Sequence, residues 1–324
     1  MMLRPWTFTL ALMLGFASAL AAQSVPEPTD LATLDLTVRH RVRTVYFAPS
    51  DRPFPPGIRE RLDTWIRLTR QFYRDEMDYW GYRNEDGRGK TFVIDQAPDG
   101  MWDVVFMVGE HDAAHYQSFE NPGDPWAVGG ECLGEILSRL PAVFHNDNVT
   151  LYFFDTFEVE GESIRYTCNG GSGAPWEGEG AGYVLQGTHF LGAGFQTVAL
   201  RPADQAEIFM QTESSGIREI RWDSQTLLLT RGEFASTYFG VPVHEIGHAF
   251  YLDHVFTDTD GDGVENNVMG NGFRRFGGRF GMPGPDEHPT ILSPENAAEL
   301  DTAIMFNQED PFDISAVGSH YLWR

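Results

Sequence analysis

The chain has 324 residues, with 47 Asp and Glu against 23 Lys and Arg, and a formal net charge of −24. Nucleic acid and anionic lipid are both held by clustered positive charge, so this balance excludes them as principal partners. The 42% apolar composition and the length point to a globular chain with a sizeable core.

In chain order, Arg4, the apolar run 8–17 and an A-x-A site at Ala19–Ala21 read as a secretory signal peptide over residues 1–22. The expected location is therefore secreted or periplasmic. No later run is apolar enough to span a bilayer, so no membrane span is expected in the mature chain. Residues 23–39 are polar and Pro-rich at their start and read as a linker. One domain over 40–310 and a tail over 311–324 complete the expected organisation.

Within the domain, Val42–Phe47 is a predicted strand. A long helix opens after Pro55-Pro56-Gly57 and ends at Gly81. Its apolar positions, among them Ile58, Leu62, Trp65, Ile66, Phe72, Tyr73 and Met77, recur three and four apart. Thr91–Ile94, Asp103–Val108 and Val149–Phe154 read as strands, and Val128–Leu140 as a helix. Residues 169–194 are Gly-rich and read as loops around a short strand near Tyr183–Phe190. Leu227–Phe239 and Val243–Leu252 look helical. Ser293-Pro294 is a cap followed by a first-turn proline, starting a last helix that runs to about Phe306.

The chemistry concentrates in Val243-His244-Glu245-Ile246-Gly247-His248. Two histidines four apart lie on one helix face and can hold one Zn²⁺. In an H-E-x-x-H helix the Glu reaches the metal-bound water, takes its proton and passes it to a leaving amine. A hydrolytic zinc site needs three protein ligands and one open position. His254 can be the third only if the helix ends after His248 and the chain turns. Met269 follows inside a tight turn, Asn267–Gly272.

These residues resemble the metzincins, zinc endopeptidases marked by H-E-x-x-H-x-x-G-x-x-H and a downstream Met-turn. The resemblance implies that His244, His248 and His254 bind Zn²⁺, that Glu245 is the general base and that Met269 floors the site. It also implies a protein or peptide substrate. The implied fold is α+β and zincin-like: a twisted mixed β-sheet with a long N-terminal helix, an active-site helix and a C-terminal helix. Two departures stand out. The family glycine is Tyr251 here, and a left-handed tyrosine costs on the order of 1–2 kcal/mol. Either Tyr251 is held in that conformation, or the helix runs on and Asp253 replaces His254. Asn271 stands where some members carry a zinc-binding tyrosine. A gluzincin arrangement would instead recruit Glu295 or Glu299.

Several secondary features have two readings each. Asp258, Asp260 and Asp262 with Gly263 match the first half of a Ca²⁺ loop, but Met269 occupies the position of its bidentate Glu. The alternative is an acidic surface turn. Cys132 and Cys168 form one disulfide in an oxidising compartment, or are two buried thiols. His111 and His115 are a second i, i+4 pair or ordinary polar residues. Asn148-Val149-Thr150 is a glycosylation sequon. Phe273–Phe280 walls a pocket below the metal, or stacks its arginines on its rings. Two functions fit: a secreted zinc endopeptidase, or a secreted non-catalytic module with structural Zn²⁺ and Ca²⁺.

Overall fold

The computed structural model describes residues 24–121, 124, 126–160, 163–166, 171–176, 180–188, 217–220, 226–229, 231–256, 265–280 and 290–308. Residues 1–22, expected to be a signal peptide, Cys168, the Asp258–Asp262 loop and residues 311–324, expected to be a tail, lie outside the described residues.

In order, the elements are β1 (Val42–Ala48), α1 (Ile58–Tyr79), β2 (Val105–Val108), α2 (Ala113–Gln117), α3 (Ala127–Arg139), α4 (Val143–Asn146) and β3 (Val149–Phe154). Then follow β4 (Glu158–Glu160), β5 (Ser163–Arg165), β6 (Ser172–Pro175), β7 (Gly182–Gly187), β8 (Ile217–Ile220), β9 (Thr226–Leu229), α5 (Arg231–Ala249) and α6 (Pro294–Thr302). The main sheet has the order β2-β1-β3-β7-β6. Its first four strands are parallel, and β6 runs antiparallel to β7 at one edge. A second sheet has the order β4-β5-β8-β9.

The central strands are buried on both faces, as parallel strands covered by helices must be. Alternate residues feed two cores. Val42 and Tyr46 of β1 join Val149, Leu151 and Phe153 of β3 on the face carrying α1 and α5. Val45 and Phe47 join Tyr152 and Phe154 on the face carrying α3 and α4. The α1 stripe packs as its spacing requires, with Ile58, Leu62, Trp65, Ile66, Phe72, Tyr73 and Met77 fully buried. Before β1, Leu31, Leu34 and Leu36 pack against the second core, and Thr29 bonds to the edge strand β2. Thr29 N–H donates to the Phe106 carbonyl (2.8 Å), and its hydroxyl accepts from Phe106 N–H (2.9 Å).

Three expectations need correction. Thr91–Ile94 is no strand: Ile94 bridges Val42 at one position only, and Phe92 is buried among the rings of Tyr73, Phe250 and Phe306. Leu227 belongs to β9, where antiparallel pairing with β8 overrides its helical pattern. The two expected helices around Pro242 are one, since α5 continues through the proline to Ala249. Packing against β6, β7 and the 3-10 helix Asn271–Phe280 holds α5 despite the missing N–H. Cys132 is buried in the α3 core, and Cys168, its expected disulfide partner, lies outside the described residues.

The sequon is also not an acceptor in the folded chain. Asn148 is fully buried, accepts from Arg41 N–H (3.0 Å) and donates to the Phe144 carbonyl (3.0 Å).

Candidate metal centre

Helix α5 presents His244 and His248 from adjacent turns, and His254 returns to them from the following segment. The three Nε2 atoms lie 3.1–3.2 Å from one another. Among the described residues they form the one group of three potential metal ligands, and Asp253, Glu295 and Glu299 are not in it.

The return of His254 depends on how α5 ends. Tyr251 has φ +73°, left-handed. Leu252 N–H donates to the Gly247 carbonyl (3.0 Å) and Tyr251 N–H to the His248 carbonyl (2.9 Å). This pair of bonds is a Schellman stop, normally built on glycine. Of the two arrangements left open above, the chain takes the first: Tyr251 is held left-handed and the helix does not run on. Its hydroxyl donates to the Trp176 carbonyl at 3.0 Å, just beyond β6.

The ring nitrogens carry their own argument. His244 Nδ1 lies 2.6 Å from the Val268 carbonyl and His248 Nδ1 lies 2.7 Å from the Leu252 carbonyl. A carbonyl only accepts, so both Nδ1 atoms carry the proton and both Nε2 atoms are bare lone pairs. Burial drives the same result, pushing the His244 pKa down to about 3 and lowering that of His248. The two lone pairs of His244 and His248 face each other at 3.1 Å and repel unless a cation lies between them. Ligand nitrogens about 2.0–2.1 Å from a tetrahedral Zn²⁺ stand about 3.3 Å apart. The residues present therefore fit such an ion.

Glu245 is 8% exposed. Burial pushes its pKa up to about 8, against a hydrogen bond from the Gly173 backbone that lowers it. Gly173 lies in β6 directly on the Glu245 backbone, and a Cβ there would overlap the Glu245 carbonyl. Strand β6, the three histidines, Glu245 and Tyr251 line a cleft of about 420 Å³.

Met269 is fully buried under α5, and a Cβ on Gly247 would overlap its sulfur. Its turn is tied by Asn267 Oδ1, which accepts from Met269 N–H (3.0 Å). The Met269 carbonyl in turn accepts from Val255 N–H (3.1 Å), fixing the residue beside His254. Asn271 is engaged with Glu265 through its backbone N–H (2.6 Å) and side-chain amide (2.9 Å). The Phe273–Phe280 segment divides: Phe273 lies 5.0 Å from the His244 ring, whereas Phe276 is fully buried against Phe72 and Phe239. His111 and His115 stack at 3.8 Å, with Glu131 3.5 Å from His115, and complete no three-ligand group. Sequence reasoning missed β6 and Trp176, whose signal was the Gly173 that close backbone approach requires.

The fold and site thus define a mixed α/β domain with a three-histidine cluster able to hold a metal ion. No known family model and no curated protein matches the sequence. The fold is similar to that of wild-type OgpA from Akkermansia muciniphila in two crystal forms. One has a TM-score of 0.52 and 22% identity, over 88% of this chain and 67% of that one. The other has a TM-score of 0.52 and 21% identity, over 88% and 68%. A complex of catalytically inactive OgpA with an O-glycopeptide substrate, glycodrosocin, has a TM-score of 0.49 at 22% identity, over 87% and 65%. The chain spans about two thirds of the length of these proteins. At such identity the likeness concerns the fold. Among the described residues no helix is long and apolar enough to cross a membrane.

Proposed function

We propose that the protein is an exported zinc-dependent endopeptidase of metzincin type, acting on a protein or peptide. The observation that carries the reading is the convergence of three imidazole nitrogens, two of them bare, beside one buried carboxyl in a cleft edged by a sheet strand. A bound Zn²⁺ supplies a Lewis acid that acidifies water and polarises a carbonyl.

The chain's residues do the rest. His244, His248 and His254 hold the ion. The Val268 and Leu252 carbonyls fix the tautomer of the first two rings. Glu245 takes a proton from water and returns it to the leaving amine. Its low exposure keeps bulk water from competing for that proton. An extended peptide adds to the outer edge of β6, backbone to backbone. Met269 keeps the floor apolar and braces the His254 segment through Val255.

The non-catalytic reading requires a closed fourth ligand, and among the described residues none joins the cluster. Ca²⁺ at Asp258, Asp260 and Asp262 stays a proposal for the loop between His254 and Met269.

The test is metal analysis of the purified chain with a peptide-library cleavage assay. One zinc per chain, its loss in His248→Ala and arrest of cleavage by chelator are expected. Zinc-free protein that cleaves at the same rate would refute the reading.

A further inference from the structure

We propose that Tyr251 is a positioning residue, whose hydroxyl straps edge strand β6 to the end of α5 and so sets the strand's height beside the three histidines. The kinetic part of this proposal rests on the peptidase reading above.

The starting observation is an outlier. Tyr251 holds φ +73°, a conformation that glycine adopts freely and a β-carbon disfavours. Such a conformation persists only where surrounding structure holds it. Backbone bonds that end a helix this way need no side chain, so they do not account for a tyrosine. The side chain makes a specific contact instead: its hydroxyl donates to the Trp176 carbonyl at 3.0 Å.

Trp176 directly follows β6. Its own N–H donates to the Ala181 carbonyl (3.0 Å), and its ring lies 4.6 Å from that of Tyr183. Strand β6 needs such anchoring. It is four residues long, contains Gly173 and Pro175, and pairs with β7 on one edge. Its other edge is the one a substrate backbone would join. Gly173 seats the strand on the Glu245 backbone, and Tyr251 fixes the next stretch through Trp176. Both anchor points lie on α5 or its stop. The strap therefore ties the strand that receives the peptide to the helix that carries the chemistry.

Tyr251 also lines a second cavity of about 660 Å³ with Ala249, Phe250 and Met305. Tyr251→Phe keeps the ring there and removes only the hydroxyl. Tyr251→Gly removes both the strap and the backbone strain.

The experiment uses the full chain loaded with zinc. Hydrogen exchange is measured at the Trp176 amide and across β6, and KM and kcat are measured with a cleaved peptide. Both variants are expected to speed exchange there about three- to tenfold, the size of one hydrogen bond, with β3 unchanged. KM should rise about three- to tenfold with kcat within about twofold, the mark of lost binding alignment. Tyr251→Gly should melt no lower than the parent and keep one zinc per chain, which separates the strap from folding. Tyr251→Phe with parental exchange and parental KM would overturn the proposal. If the parent cleaves no peptide, the peptidase reading fails, and exchange alone decides whether the strap exists.

Discussion

Gly173→Ala and Gly130→Ala should change stability in opposite directions. An added Cβ at Gly173 would overlap the Glu245 carbonyl oxygen and lie 2.7 Å from its carbon and 2.9 Å from its Cα. Ordinary carbon contacts are about 3.5–4.0 Å, so β6 must retreat by about 1 Å. Its neighbour is helix backbone, which cannot rotate away. Overpacking of this kind costs about 1–3 kcal/mol, or roughly 2–10 °C in melting temperature for a domain of this size. A Cβ at Gly130 meets nothing within 4 Å, on an exposed position inside α3. There alanine gains about 0.8–1 kcal/mol of helix propensity. Thermal melts of both variants with zinc bound give the comparison. Cleavage should fall only in Gly173→Ala, because only there does the strand leave the cleft. Equal melting temperatures for parent and Gly173→Ala would refute the close seating of β6 on α5.

Further predictions concern the buried polar groups. In metal-free protein, Glu245 titrates near about 8 rather than its ordinary 4.5 because of burial. Between those values the folded chain keeps a proton that the unfolded chain has released, so stability falls as pH rises. Glu245→Gln removes this slope, and its melting advantage over the parent in chelator should be small near pH 4.5 and largest near pH 8. A pH-independent gap would show that Glu245 is not held neutral by burial. Tyr73 is fully buried and donates to the Val243 carbonyl (3.0 Å), bracing the residue before His244 against α1. Tyr73→Phe should cost about 1 kcal/mol, read as a lower midpoint in urea at unchanged slope; an unchanged midpoint would count against the brace.

What was legible in the sequence follows from locality. The α1 stripe, the β-branched and aromatic run of β3 and the Ser293-Pro294 start each announce themselves within a few residues. Ser293 caps α6 by accepting from Asn296 N–H, as read. The His244–His248 pair was legible because helix geometry alone puts both rings on one face. What depends on distant partners was not. Strand β9 exists because β8 pairs with it, and Phe92 is buried by rings from three other segments. Strand β6 has no apolar alternation, since its inward contact is a glycine on a helix backbone. Tyr251 left two routes open, and a hydrogen bond to a residue 75 positions away accompanies the one taken.

The central claim is that the three histidines hold one zinc ion and that Glu245 supplies the base. The most direct measurement is the turnover of one cleaved peptide by parent and Glu245→Gln at matched zinc content. One zinc per chain in both, with turnover lower by about 10²–10⁴-fold in the variant, is the predicted result. Parental turnover by zinc-loaded Glu245→Gln would contradict it.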